Sequence, residues 1–166
     1  MSLRSVLIAN RGEIAVRIIR AAKALGLRTV QVYSQADAAS LAVRLADEAI
    51  EIGPPPAKKS YLNIEAILAA AAASKVDAVH PGYGFLAENA DFAERVTAAG
   101  LIFVGPDAAA IRLLGDKVAA RRVASEAGVP TVPGSEGRIA DVGEAVAGNV
   151  EAVDFEHIRK SERELR

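Results

Sequence analysis

The sequence predicts an α/β fold in which a doubly wound parallel sheet carries helices on both faces. Short apolar runs alternate with segments of helical period from residue 5 to about residue 133. Strands separated by helices of about 10–15 residues are typical of βαβ units, which build parallel sheets. The composition agrees, because 35 of the 166 residues are alanine and only 4% are aromatic. Such a mixture favours helices packed closely on a sheet.

The first βαβ unit begins with the apolar run Ser5–Ala9, which is followed by the turn NRGE. A run of this kind fits a buried parallel strand. The segment Glu13–Leu25 then has apolar residues at helical spacing, and Gly26 stands where a helix favours glycine as its C-terminal cap. The pattern predicts a strand, a turn and a helix in that order.

The remaining elements repeat this alternation. Asn63 is a predicted N-cap, Pro106-Asp107 opens a helix, and Asp116 precedes another. The predicted elements are, in order, a strand in RTVQVYS, a short helix in SLAVRLADE, a strand at Ala49–Ile52, the stiff turn GPPPAKKS, a helix in IEAILAAAAASK, a strand in VDAVH, a helix in ENADFAERVTAAG, a strand in LIFVG, helices in AAAIRLLG and KVAARRVASEAG, and an extended piece in VPTVPG.

The character of the chain changes near Ser135, after which the strand signal stops. We therefore divide the sequence into a domain at residues 1–137 and a linker with a charged helical tail, of unknown role, at residues 138–166. Glu156 and Lys160 are spaced i,i+4 in the order that stabilises a helix.

Composition excludes several classes of function. Lysine and arginine total 20 against 21 acidic residues, a net charge of −1, so no basic field favours nucleic acid. The absence of cysteine excludes disulfides and thiolate chemistry. With His80 and His157 as the two histidines, no metal site is expected. No apolar run reaches 18 residues and no signal-peptide pattern opens the sequence, so a cytoplasmic protein without a membrane association is expected.

The turn NRGE lies where a doubly wound fold binds phosphates, between a strand and a helix N-terminus. It offers one glycine, Gly12, whereas the dinucleotide fingerprint needs three. The alternative interpretation is structural: Asn10 and Gly12 form a tight turn and Arg11 pairs locally. Both interpretations stay open at this point.

A second turn, HPGYGFLAEN, follows the predicted strand VDAVH. Ligands of open α/β sheets bind outside the carboxyl ends of the strands. Glycines here would let a ligand approach the backbone, and Tyr83 would supply a flat apolar wall. The structural alternatives are that the aromatics cover the sheet edge, that His80 is a satisfied structural histidine, and that Glu88 is a charge in the first turn of a helix.

A third candidate is the segment GDK, at residues 115–117. A lysine at a helix start is unfavourable for the helix dipole. A bound anionic ligand would interact favourably with Lys117 and so explain a lysine at this position. The alternative is that Lys117 is a solvated surface lysine without a function.

These segments together resemble the N-terminal domain of biotin carboxylase. The resemblance runs in unbroken order from about residue 4 to about residue 137 and rests on VLIANRGEIAVRIIRAAKALGLRTVQVYS, RLADEAIEIG, SYLNIEAILAAA, HPGYGFLAENADFAERV, IFVGP and IRLLGDKVAARRVASEAGVPTVPGS. It implies a Rossmann-like pre-ATP-grasp fold. It also implies a parent enzyme, found in acetyl-CoA, propionyl-CoA, methylcrotonyl-CoA and pyruvate carboxylases, that uses ATP with Mg²⁺ and bicarbonate to carboxylate biotin through a carboxyphosphate intermediate.

The resemblance also implies roles for particular residues. Lys117 would contact the nucleotide, and Tyr83 would line the biotin side of the cleft, with Gly82 and Gly84 admitting the ligand. Arg17 and Arg20, on the first helix, would belong to a homodimer surface. Ala24 stands where a family member carries an acidic partner. The biotin carboxyl carrier protein and a carboxyltransferase are the implied partners in the parent complex.

The family continues into an ATP-grasp domain and a further catalytic domain, and neither can be placed in this sequence. We therefore assign no catalytic residue or metal ligand and expect the chain to be inactive alone, with ATP and biotin not bound tightly. One alternative is a non-catalytic binding or dimerisation module that keeps the fold. Another is a nucleotide-dependent oxidoreductase, against which the missing G-x-G-x-x-G argues.

Overall fold

The structure, a computed structural model, describes residues 3–115 and 117–130. The chain divides into two compact units, one up to Arg112 and one from Leu113 onward. The elements are β1 (Ser5–Ile8), α1 (Gly12–Ala24), β2 (Arg28–Tyr33), α2 (Leu41–Leu45), β3 (Glu48–Glu51), α3 (Ile64–Ser74), β4 (Ala78–His80), α4 (Ala90–Ala98), β5 (Ile102–Phe103), α5 (Ala108–Gly115) and α6 (Lys117–Glu126), with 3-10 turns at Gln35–Asp37 and Ala57–Lys59.

The five strands form one parallel sheet in the order β3-β2-β1-β4-β5. The chain therefore starts in the middle of the sheet, builds outward through β2 and β3, and returns to the other side of β1 to place β4. The strand order reverses between β1 and β4, which is where open α/β sheets bind their ligands. This confirms the predicted doubly wound α/β fold.

Successive side chains of β1 point to opposite faces of the sheet, and helices cover both of these faces. Val6 and Ile8 pack on one face with α1, which buries Ala15, Ile18, Ile19 and Ala22. Leu7 points to the opposite face, where Ile67 of α3 and Phe92 of α4 are fully buried. All four residues of β1 are buried, as expected for a strand covered on both sides.

Local signals set the helix ends. Asn63 and Asn89 each accept a hydrogen bond from a backbone N–H in the first turn of α3 and α4. Gly26 ends α1 with φ +72°, and the N–H of Leu27 donates to the carbonyl of Ala22, the six-to-one bond of a glycine C-cap. These bonds confirm the predicted caps at Asn63 and Gly26.

Element boundaries differ from the predictions by one to three residues. The first helix begins at Gly12 rather than Glu13, and β3 is Glu48–Glu51 rather than Ala49–Ile52. Glu88 precedes α4 instead of lying in its first turn, because Asn89 is the N-cap. The extended piece VPTVPG from Thr131 on, the boundary at residue 137 and the tail at 138–166 lie outside the described residues and stay predictions.

The described helices contain no segment that is long and apolar enough to span a membrane. Within the same residues, no three histidine, aspartate or glutamate side chains lie close enough together to hold a metal ion.

Candidate functional site

Two loops meet at the point where the strand order reverses. One follows β1 and contains Asn10 to Gly12; the other follows β4 and contains Pro81 to Phe85. Because β1 and β4 are hydrogen-bonded neighbours, their carboxyl ends deliver the two loops side by side. The N–H of Ala9 extends this pairing by donating to the carbonyl of His80 over 2.9 Å.

Asn10 joins the two loops. Its side chain is buried, and its Nδ2 donates to the carbonyls of Pro81 (2.7 Å) and Tyr83 (2.8 Å). The Oδ1 accepts the N–H of Arg11, and Nε2 of Gln31 donates to the backbone carbonyl of Asn10. Every polar group of the Asn10 side chain is thus used, and the two carbonyls that it holds lie on either side of Gly82.

The glycines of the second loop have left-handed backbones, with φ +68° at Gly82 and +67° at Gly84. A Cβ on Gly82 would lie 2.7 Å from Nδ2 of Asn10, whereas a Cβ on Gly84 would meet nothing within 4 Å. Gly82 therefore permits the close approach of Asn10, and Gly84 leaves open space beside Tyr83. The predicted use of Gly82 and Gly84 to admit a ligand stays a prediction.

His80 has a structural contact in this loop. Its Nδ1 accepts the N–H of Gly82 over 3.0 Å, which requires the neutral ring with its proton on Nε2. The side chain is half-buried, and burial lowers its pKa below the ordinary value of 6.5. His80 is a satisfied structural histidine, one of the two interpretations that its sequence left open.

Tyr83 is 61% exposed and projects from the loop between the two glycines. Its hydroxyl donates to Glu13 of α1 over 2.9 Å, and this hydrogen bond to a carboxylate raises the pKa of Tyr83. Glu13 also pairs with Arg17 one turn further along α1, at 2.8 Å. The ring of Tyr83 remains available as a flat apolar surface beside two glycines.

A cluster that the sequence did not predict lies next to these loops. Arg11 does not pair locally but forms an ion pair with Asp37, 3.4 Å away and 26 residues later in the chain. Its guanidinium also lies 5.7 Å from the ring centroid of Tyr61 and 6.0 Å from that of Phe85. The local pairing expected for Arg11 is therefore wrong, because the 3-10 turn after β2 brings Asp37 to the carboxyl end of β1.

Asp37 is the acceptor at the centre of this cluster. Tyr61 donates its hydroxyl to Asp37 over 2.7 Å, and the Ser34 hydroxyl donates over 2.8 Å. Burial opposes ionisation of Asp37, but these hydrogen bonds and the charge of Arg11 outweigh it and lower the pKa of the carboxyl. Burial raises the pKa of Tyr61 to about 12, so its hydroxyl stays a donor at neutral pH.

The predicted dimer residues lie on the outer side of α1. Arg17 and Arg20 are both exposed, and Arg17 borders a groove of about 380 Å³ that is otherwise mainly apolar. Leu25, at the end of the same helix, is 77% exposed. The first helix thus presents cations beside apolar surface, the combination common at protein interfaces.

Lys117 is the first residue of α6, which confirms the predicted helix start. The position of its side chain lies outside what the structure describes, so its predicted contact with the nucleotide stays a prediction.

Sequence reasoning missed Asp37 and Tyr61 because no short motif joins them to the loops. The sequence held one signal: Tyr61 is one of only three tyrosines in the chain, and it stands two residues before the predicted helix cap Asn63. A tyrosine that is buried at such a position needs a hydrogen-bond partner for its hydroxyl.

Comparisons with known proteins agree on one family. The family model for the biotin carboxylase N-terminal domain matches residues 2–111. The biotin carboxylase of Haemophilus influenzae is 60% identical over 139 residues, which are 84% of this chain and 31% of the relative. The propionyl-CoA carboxylase alpha chain of Ruegeria pomeroyi is 55% identical over 141 residues, 85% of this chain and 21% of that relative.

A comparison with solved structures also matches the chain to a biotin carboxylase domain. The biotin carboxylase domain dimer of Hydrogenobacter thermophilus 2-oxoglutarate carboxylase, in complex with MgADP, ADP and bicarbonate, matches with a TM-score of 0.84 and 47% identity. The match covers 91% of this chain and 33% of that one. The chain spans about a third or less of the length of the relatives it matches.

Proposed function

Because this chain belongs to the biotin carboxylase N-terminal domain family, we propose that it forms one wall of the cleft in which biotin is carboxylated with MgATP and bicarbonate. The observation that carries the proposal is the pair of joined loops at the strand-order reversal, which present an exposed tyrosine between two left-handed glycines. The proposed reaction is that of the parent enzyme, with ATP, Mg²⁺ and biotin as the groups involved.

In this proposal Tyr83 lines the biotin side of the cleft. Its ring offers an apolar face to a ligand, while its hydroxyl is occupied by Glu13. Gly84 adds no side chain to the approach. These residues bind and orient biotin, and we assign no catalytic role to them.

Lys117 is the proposed contact to the nucleotide, as a cation for the phosphate oxygens. We assign no residue of this chain to Mg²⁺. The biotin carboxyl carrier protein and a carboxyltransferase are the proposed partners, and the cytoplasm is the proposed location.

The function can be tested in a chimera. The 139 matched residues of Haemophilus influenzae biotin carboxylase would be replaced by the matched residues of this chain, and biotin-dependent ATP hydrolysis would be measured. We expect an active chimera in which Tyr83→Ala raises the KM for biotin more than the KM for ATP, while Lys117→Ala does the opposite. Leu41→Ala and Lys58→Ala, at exposed positions outside the two loops, are the matched controls.

Two results would contradict different parts of the proposal. A folded chimera without biotin-dependent hydrolysis would refute the function. An active chimera whose KM for biotin is unchanged by Tyr83→Ala would refute only the binding role of this residue. Calorimetric titration of the 166-residue chain with MgATP, with and without Lys117→Ala, then shows whether this chain binds nucleotide by itself.

We further propose that α1 forms a homodimer surface through Arg17 and Arg20, supported by the exposure of both arginines and by the apolar groove that Arg17 borders. Sedimentation equilibrium would measure the dimer dissociation constant. Arg20→Glu is expected to raise it about tenfold or more, and Arg44→Glu, a charge reversal on the exposed surface of α2, is expected to leave it unchanged. Equal effects of the two reversals would contradict this surface.

A further inference from the structure

Phe85 has a backbone conformation that is rare for its residue type. Its φ is +42°, and among the described residues it shares a positive φ only with Lys75 and glycines. Lys75 ends helix α3, where a left-handed residue is common. Phe85 ends no helix, and a bulky side chain in this region costs energy unless the surroundings maintain it.

The aromatic ring of Phe85 provides the contact that maintains it. The ring stacks on Tyr61 with the centroids 5.2 Å apart and the planes 20° from parallel. Arg11 lies over both rings. Stacking and cation–π contacts both favour this one placement of the Phe85 ring.

Tyr61 is itself fixed in place. It is 1% exposed, its hydroxyl donates to Asp37, and its oxygen accepts the backbone N–H of Ser34 over 3.0 Å. The ring is therefore held at its hydroxyl end by the loop after β2, while its face supports Phe85 of the loop after β4.

The backbone around Tyr83 needs such support. Gly82 and Gly84 flank Tyr83, and glycine allows many backbone conformations. Apart from the hydrogen bond of its hydroxyl to Glu13, the direction of the Tyr83 side chain depends on the residues that hold the backbone on either side of it. Asn10 holds the peptide before Gly82 through the Pro81 carbonyl and the peptide after Tyr83 through the Tyr83 carbonyl. Beyond Gly84, Phe85 is the next residue that is not glycine.

We propose that an aromatic brace, defined as Arg11, Asp37, Tyr61 and Phe85, positions Tyr83 for biotin by holding the loop after β4 in its left-handed course. The proposal rests on the proposed function for the identity of the ligand. In it, Tyr61 and Phe85 are positioning residues that act through Tyr83 and do not touch biotin themselves.

Hydrogen exchange followed by NMR tests the brace without any ligand. The amide of Gly82, bonded to His80, and that of Ala87, bonded to the carbonyl of Gly84 over 2.8 Å, report on the loop. Phe85→Leu is expected to speed their exchange about threefold to tenfold, and Phe85→Tyr, which keeps the ring, is expected to restore the original rates. Amides of β1 should keep their rates in both variants and report on the intact fold.

Phe103→Leu is the matched control. Phe103 is also partly buried, packs on the same side of the sheet as Phe85, and contacts an aromatic ring, that of Phe92. We expect it to lower the overall stability without selectively speeding the exchange of Gly82 and Ala87. Tyr61→Phe, which keeps the stack and loses the bond to Asp37, should speed loop exchange less than Phe85→Leu does.

The KM for biotin of the chimera described above, measured with the same substitutions, separates the brace from the ligand. If loop exchange responds as expected and the KM for biotin is unchanged by Tyr83→Ala, the ligand assignment fails and the brace stands. A higher KM for biotin in Phe85→Leu, restored in Phe85→Tyr, would support both. Unchanged loop exchange in Phe85→Leu would overturn the brace whatever the binding result.

Discussion

The side-chain nitrogen of Asn10 donates a hydrogen bond to the backbone carbonyl of Tyr83 over 2.8 Å, across 73 residues of sequence. The same nitrogen also holds the carbonyl of Pro81. Two carbonyls facing one nitrogen require a group with two N–H donors, and the adjacent N–H of Arg11 requires an acceptor at Oδ1. Asparagine is the residue of this size that supplies both.

Asn10→Asp should destabilise the protein by about 1–3 kcal/mol, because it replaces two buried donors with an oxygen that faces two carbonyls. Urea denaturation measures the change. Asn89→Asp is the matched control: Asn89 only accepts a bond, from the N–H of Phe92 at the start of α4, where a carboxylate is equally suitable. Equal losses in the two variants would show that the Asn10 contacts contribute nothing specific.

Gly82→Ala should cost more stability than Gly84→Ala. Both glycines have φ near +67°, so each substitution costs about 1–2 kcal/mol for the left-handed backbone. At Gly82 the new Cβ also meets Nδ2 of Asn10 at 2.7 Å, and moving this side chain breaks its hydrogen bonds, adding at least about 1 kcal/mol. Thermal and urea unfolding of the pair should show this difference; equal losses would contradict the contact.

Stability should fall as His80 becomes protonated. Burial lowers the pKa of His80 in the folded state below 6.5, so its contribution to stability is fully present above pH 6.5. The contribution is lost as the pH falls through the lowered folded-state pKa. Protonation also places a hydrogen on Nδ1, where Gly82 donates.

His80→Asn should remove this pH dependence and keep the contact, since an asparagine oxygen can accept the N–H two residues later. Urea unfolding from about pH 8 to about pH 5 compares the two proteins. NMR titration of the histidine ring protons gives the pKa directly, and His157→Gln simplifies the spectrum to one histidine. A pKa of His80 at or above 6.5 would contradict the prediction.

The ionised carboxylate of Asp47 should stabilise the folded protein, and this contribution should be lost in acid. The hydrogen bond from Lys23 (2.7 Å), followed by those from the N–H and hydroxyl of Thr29, lowers the pKa of its carboxyl to about 2. The contribution is present above the ordinary value of 3.8 and is lost as the pH falls through about 2.

Asp47→Asn should therefore lower the urea midpoint by a constant amount above about pH 4, and the difference from wild type should shrink toward about pH 2. Lys23→Gln should move the acid loss of stability to higher pH. A difference between wild type and Asp47→Asn that did not change across this range would contradict the lowered pKa.

The sequence by itself determined the class of fold and most of its elements. Apolar period and caps are local signals, so β1, α1 and the capped helix α3 were predicted to within about one residue. The glycines around Tyr83 were also a local signal, and the rule that ligands bind at the carboxyl ends of strands predicts a binding site in this loop.

Only the tertiary structure decided how that loop is held. The strand order β3-β2-β1-β4-β5 brings the segments that follow β1, β2, β3 and β4 to one place, where Asn10 meets Tyr83, Arg11 meets Asp37, and Tyr61 meets Phe85. These partners are separated by 24 or more residues, and each bond depends on distances that the packed sheet sets. No local pattern encodes them, because hydrogen bonds and ring stacking act over a few ångströms in space and are indifferent to separation along the chain.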